Sequence, residues 1–97
     1  MSGAILRNNT GDHRYELIDN GEVVGIAEYD LEGDAVVFRH TEVGKGHEGK
    51  GYGSKLAKMA LDDARNSQRK IVARCEFIAG YVSRHPEYGA EIRSAGS

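Results

Sequence analysis

The chain has 97 residues, of which 39% are hydrophobic and 29% charged, and a formal net charge of −2. That length fits one domain, 1–97, able to bury a modest core without disulfides or a structural metal. The composition excludes a disordered chain, and the weak charge gives no general attraction to nucleic acid or to an anionic membrane.

In chain order, residues 5–7 are a candidate short strand. Residues 14–19 alternate, with Tyr15 and Leu17 on one side and Glu16 and Ile18 on the other, so they read as a strand. Asn20-Gly21 is a hairpin signal, and residues 22–29 form the return strand. A turn at 30–34 leads to a third strand, 35–43. Simple alternation places Val36, Phe38, His40 and Glu42 on one face and Val37, Arg39, Thr41 and Val43 on the other. From Tyr52 to about Ser67 the period changes: Leu56, Ala57, Ala60, Leu61 and Ala64 form a helical apolar stripe. Residues 70–75 are a fourth strand, and 77–84 a short second helix stopped by His85-Pro86. The core spans about 5–88, and residues 89–97 are expected to fray. The order is β-β-β-α-β-α. This is an α/β fold of the α+β type, with a mixed, mainly antiparallel sheet and two helices. The helix joining strands three and four is a crossover, which makes those two strands parallel.

No apolar run approaches the length of a membrane span, and Met1-Ser2-Gly3-Ala4 has no signal-peptide pattern. Cys75 is the only cysteine, so no internal disulfide is possible, and a reducing, cytoplasmic setting is the default. The four histidines and one cysteine show no metal-ligand spacing, so no metal is expected.

Residues 43–56 carry five glycines in fourteen positions. They lie between a strand and a helix. Glycines let backbone N–H groups approach a ligand, and the helix N-terminus behind them adds partial positive charge. The stretch is therefore a candidate phosphate or pyrophosphate site. Gly44-Lys45-Gly46-His47-Glu48-Gly49 matches the dinucleotide pattern G-x-G-x-x-G, but an antiparallel meander cannot supply the parallel units of that fold. Gly44 to Lys50 nearly matches a nucleotide P-loop, but Gly51 stands where the metal-holding hydroxyl belongs.

Gly51-Tyr52-Gly53 aligns with the end of Q/R-x-x-G-x-G/A. With His40-Thr41-Glu42-Val43, Gly49-Lys50-Gly51-Tyr52-Gly53, Cys75, Tyr81 and Arg84-His85-Pro86-Glu87-Tyr88, the chain resembles, over residues 14–88, the small single-domain GCN5-related N-acetyltransferases. Two departures stand out. The Gln/Arg position of the loop is Glu48, and the chain lacks the further strands that shape the acceptor pocket in larger members.

The resemblance implies acetyl-CoA as cofactor. Val43 and Gly44 would offer backbone groups to the pantetheine. The amides of Lys45, Gly46, His47, Gly49, Lys50, Gly51, Tyr52, Gly53 and Ser54 would cradle the pyrophosphate, while Lys50, Lys55 or Arg84 reaches the 3′-phosphate and His85 touches the cofactor. A solvated helix face is the competing account of the lysines. Cys75, ahead of a helix N-terminus, is either an acetyl-accepting nucleophile or a small buried hydrophobe. Glu42 and His40 are candidate bases. Their structural alternatives are a salt bridge to Arg39 for Glu42 and a hydrogen-bonded histidine under the helix for His40. The side chains of His13 and His47 read as ordinary loop residues, and Tyr81 is either a proton donor or a packed ring.

The implied function is acetyl transfer to the amine of a small molecule or protein, directly or through a Cys75 thioester. The alternative is a CoA-binding module without turnover. Exposed strand edges would allow a homodimer.

Overall fold

The alternation of the first half builds an antiparallel meander, and the helical stripe that follows covers one of its faces. The computed structural model describes residues 3–93. Its elements are β1 (Ile5–Asn9), β2 (Arg14–Asp19), β3 (Glu22–Glu32), β4 (Ala35–Val43), α1 (Tyr52–Asn66), β5 (Lys70–Ala73), α2 (Glu76–Arg84), a 3-10 turn (Pro86–Tyr88) and β6 (Glu91–Ile92). The sheet order is β1-β2-β3-β4-β5-β6. The first four strands are antiparallel, and β5 pairs in parallel with both β4 and β6. The crossover through α1 thus gives the expected parallel pair.

Asn20 (φ 57°) and Gly21 (φ 77°) close the β2–β3 hairpin with two left-handed residues, the geometry an Asn-Gly pair favours. Leu56, Ala57, Ala60, Leu61 and Ala64 are all fully buried, so the stripe read from the sequence is the face α1 lays on the sheet. Tyr15, Leu17, Tyr29 and Phe38 meet it from below, and Ile78, Tyr81 and Val82 of α2 join the same cluster. Both helices therefore cover one face. Each fully buried Leu or Phe contributes about 2 kcal/mol.

Besides β1, which runs to Asn9 rather than Arg7, four features differ from the sequence reading. The strand expected to end at Tyr29 runs to Glu32, because a Gly33-Asp34 turn is enough to reverse the chain. The fourth predicted strand ends at Ala73 rather than Cys75, since the Arg74 and Cys75 amides both turn to the Phe38 carbonyl. The tail expected to fray contains β6, held on β5 and followed by an Arg93 N–H bond of 2.8 Å to Ala73 O. Residues 94–97 of that tail lie outside the described residues.

The fourth difference is a bulge in β4. Glu28 pairs with His40, but Tyr29 pairs with Phe38, so Arg39 is the extra residue. The alternation slips there. Phe38 shares the helix-covered face with Thr41 and Val43, while His40 and Glu42 point the other way, with Arg39.

That other face has no helix among the described residues. It buries Val37 and Val72 and is otherwise held by ion pairs. Glu16, only 1% exposed, accepts from Arg7 Nε (2.8 Å) and Nη2, Arg14 Nε (2.8 Å) and Asn9 Nδ2 (3.1 Å). Burial by itself would raise this carboxyl. The bonds from Arg14, Asn9 and Arg7 outweigh it and hold the group at about 2, below its ordinary 4.5. A lowered folded-state value stabilises above about pH 4.5 and loses that contribution as pH falls towards 2. Glu16→Gln is expected to destabilise the fold by about 2 kcal/mol at neutral pH and to flatten this acid loss. Urea melts of both proteins from pH 7 to pH 3 test it; parallel pH profiles would remove Glu16 as the source.

Candidate functional site

β4 and β5 pair only from Ala35 to Phe38 on one side and Lys70 to Ala73 on the other. Both Arg74 N–H (2.9 Å) and Cys75 N–H (3.1 Å) then donate to Phe38 O. Past this point β4 continues through Arg39 to Val43 while the chain of β5 turns into α2, so the two part. Cys75 sits where they separate. It is the N-cap of α2 in extended backbone, and its Sγ lies 3.4 Å from Thr41 Oγ1. Cys75 as a whole is buried, 8% exposed.

His40 Nε2 and Glu42 Oε1 are 2.7 Å apart and both exposed. They form a hydrogen-bonded pair on the helix-free face, opposite the side on which Thr41 meets Cys75. Both structural alternatives hold in part: Glu42 is paired and His40 hydrogen-bonded, but with each other. Arg39 pairs with Glu28 and Asp30, and His40 is not under a helix.

The glycine loop starts with Gly44 N–H on Val24 O (2.7 Å) and closes a turn with His47 N–H on Gly44 O (3.0 Å). It delivers the chain to α1 at Gly51, an N-cap in left-handed backbone (φ 77°) with no side-chain cap. No acidic residue lies in the first turn of α1. The first amides of a helix lack intrahelical acceptors, so this end is an uncapped cluster of donors at the positive pole of the dipole. Glu48 turns its carboxylate back on the loop, accepting from Gly46 N–H at 3.0 Å. Tyr52 fixes the start of the helix by donating to Asp19; this bond, more than burial, raises its hydroxyl's pKa.

A cavity of about 270 Å³ opens over these amides. Its wall comes from Val43, residues 47–49 and 51–54, and Phe77. Of the predicted binding residues, Val43, His47, Gly49, Gly51, Tyr52, Gly53 and Ser54 are brought together here. Lys45, Gly46 and Lys50 are not part of this wall, and Gly44 lines a different cavity with Val23 and Glu42. Arg84 and His85 lie at the far end of α2, where His85 stacks on Tyr81 (4.2 Å) and faces Glu87 (3.4 Å). Tyr81 is a packed ring, 7% exposed.

His47 is more than an ordinary loop residue. Its ring meets the Tyr52 ring edge-on at 5.7 Å, its Nε2 faces Glu22 (3.4 Å), and its buried Nδ1 has no hydrogen-bond partner. Phe77 was missed by the sequence reading. It lies one position off the buried Ile78–Tyr81–Val82 stripe and leaves a large ring 42% exposed, which is the signal available in the sequence pattern.

No helix among the described residues is long and apolar enough to cross a membrane. Similar folds occur in a GCN5-like candidate N-acetyltransferase from Staphylococcus aureus (TM-score 0.67, 23% identity, 97% of this chain and 92% of that one) and in the ribosomal-protein-S18-alanine N-acetyltransferase from Escherichia coli (TM-score 0.59, 16% identity, 76% of this chain and 50% of that one). The fold is thus an N-acetyltransferase fold. Residues 14–92 match the family model of the GCN5-related N-acetyl-transferases, and the chain belongs to that family. No curated protein sequence matches it.

Gly53 marks how tightly the wall is built. A Cβ there would stand 3.0 Å from Phe77 Cζ and 3.5 Å from Val43 Cγ2. Gly53→Ala gains helix propensity but crowds the ring, so alone it is expected to be neutral or destabilising. In a Phe77→Ala background it should stabilise by about 0.5 kcal/mol. A double-mutant cycle in urea measures the coupling; additive effects would show that the ring yields freely.

Proposed function

We propose that this protein is an acetyl-CoA-dependent N-acetyltransferase. The observation that carries the reading is the parting of β4 and β5 with Cys75 at its vertex, next to a helix start whose amides are uncapped. The donor set fits the cofactor. Uncapped amides and a positive helix pole suit a pyrophosphate. The Val43 and Phe77 side chains suit a thin, largely apolar arm, and a side chain at Gly53 would fill the space between them. When bound, acetyl-CoA supplies an activated acyl group.

Two routes use the chain's own residues. In one, Cys75 as thiolate would attack the thioester carbonyl of bound acetyl-CoA, its S–C bond forming as the S–C bond to CoA breaks, with the CoA thiolate as leaving group. An amine then attacks the acetyl-Cys75 carbonyl, the amide bond forms, and the Cys75 thiolate is released. In the other, the amine would attack the bound thioester directly, its C–N bond forming as the C–S bond to CoA breaks and the departing thiolate taking the proton lost from the new amide nitrogen, while Cys75 only lines the vertex. Either route needs the amine deprotonated. The His40–Glu42 pair accepts that proton from the helix-free face, directly or through water. The acceptor is the amine of a small molecule or a protein.

A second reading, a CoA-binding module without turnover, is favoured by one observation. Cys75 is a buried residue, and the acid–base pair lies on the opposite face of β4.

Gly51→Asp places a negative charge at the uncapped helix start, and aspartate tolerates left-handed backbone better than most residues, so the fold is expected to survive while CoA binding is lost. Calorimetric titration with a circular-dichroism control checks this; a folded variant with unchanged affinity rules out the loop. Cys75→Ala is expected to keep CoA binding and to lose any hydroxylamine-sensitive acetyl adduct in intact-mass spectra. An adduct that persists in it excludes the thioester route, and turnover of an amine by the wild type separates enzyme from module.

A further inference from the structure

At the end of the sheet remote from the glycine loop, the last turn of α1 stands over β2, β3 and the β1–β2 turn and leaves a cavity of about 130 Å³. Leu31, Val36 and the Tyr15 and Tyr29 rings give it an apolar floor. Its remaining wall carries opposite charges. Asp63, near the end of α1, and Arg69, just beyond it, both line the space, yet no ion pair joins them. Asp63 accepts the Tyr15 hydroxyl at 2.8 Å. The Arg69 guanidinium, exposed at the mouth, has no hydrogen-bond or ion-pair partner among the described residues. The two charges act on the same hydroxyls: beyond the burial that raises both phenols, Asp63 raises and Arg69 lowers each.

Three details sharpen the chemistry. The carbonyl end of α1, capped by the Ser67, Gln68 and Arg69 backbone amides and by no side chain among the described residues, adds partial negative charge on the Asp63 side. Ser67 and Thr10 lie in the same wall as Arg69. Left-handed backbone at a non-glycine residue also borders the cavity: His13 (φ 50°), whose ring stacks on Tyr29 at 5.7 Å. Such conformations persist where the surroundings hold them.

We propose that this cavity binds a small zwitterion, an amino acid of about six heavy atoms, with its ammonium at Asp63 and its carboxylate at Arg69. The size follows from the volume, since a cavity of roughly 150 Å³ holds a six-atom ring. A bound amino acid would lie at the opposite end of α1 from the loop. The site is therefore separate from the acceptor position of acetyl transfer and does not rest on that reading.

The test is an amide-resolved NMR titration of the full chain with L-alanine, and with acetate and methylamine as its one-charge halves, up to tens of millimolar. Alanine is expected to shift the amides of His13, Tyr15, Ser67 and Arg69 in a saturable way and to leave those of 51–54 unmoved. Each half should bind at least about tenfold more weakly. Arg69→Met, at an exposed position, and Asp63→Asn, which keeps an acceptor for Tyr15, should each weaken alanine at least about tenfold with the spectrum otherwise retained. Unmoved amides, equal binding of acetate, or full affinity in Arg69→Met would each overturn the proposal.

Discussion

A single carbonyl, that of Phe38, accepts the amides of both Arg74 and Cys75, and much of the site follows from this. A regular parallel ladder would give each carbonyl one partner and carry the pairing onward. With two donors converging on one oxygen, the ladder stops and the chain turns. Helix α2 then starts at once, with Cys75 as its cap, and the end of β4 loses its neighbour on that side. The same event that ends a strand thus creates a gap between two strands and places a thiol at its vertex. Phe38 is itself fully buried under the helices, which fixes the carbonyl in place.

The two faces of the sheet are stabilised by different physics. The helix-covered face is an ordinary apolar core. The other face keeps Val37 and Val72 dry beneath a lattice of ion pairs, with Glu16 at one edge, Arg39 between Glu28 and Asp30, and Arg93 between Glu32 and Glu91. Exposed pairs of this kind contribute little each; the buried Glu16 carboxylate, bonded by three residues, contributes more. The bulge at Arg39 assigns His40 and Glu42 to this polar face. They pair with each other there, in the open.

Helix α1 presents contrasting chemistry at its two ends. Its N-terminus is approached through glycines, lacks a side-chain cap and has no acid in its first turn, which leaves donors for an anion. Its C-terminus adjoins a cavity where Asp63 and Arg69 stay apart. Fifteen residues of helix keep these environments about 20 Å from each other, so ligands at the two ends do not compete for space.

The helical stripe of Leu56 to Ala64, the Asn20-Gly21 hairpin and the parallel crossover were all legible in the sequence, because each depends on local periodicity or local turn chemistry. So was the family, from the order of a few short motifs. The faces of β4 were not. A bulge exists only relative to the partner strand, and nothing within residues 35–43 announces that Arg39 is the extra one. The strand β6 was hidden for the same reason: two residues have no period, and only β5 beside them makes a strand. The exposed ring of Phe77 over Gly53, the closeness of Cys75 to Thr41, and the shared cavity of Asp63 and Arg69 join residues from separate elements. Sequence determined which elements form and what kind of loop joins them. Tertiary packing alone decided which side chains meet, because those distances are set by how the sheet twists, bulges and parts.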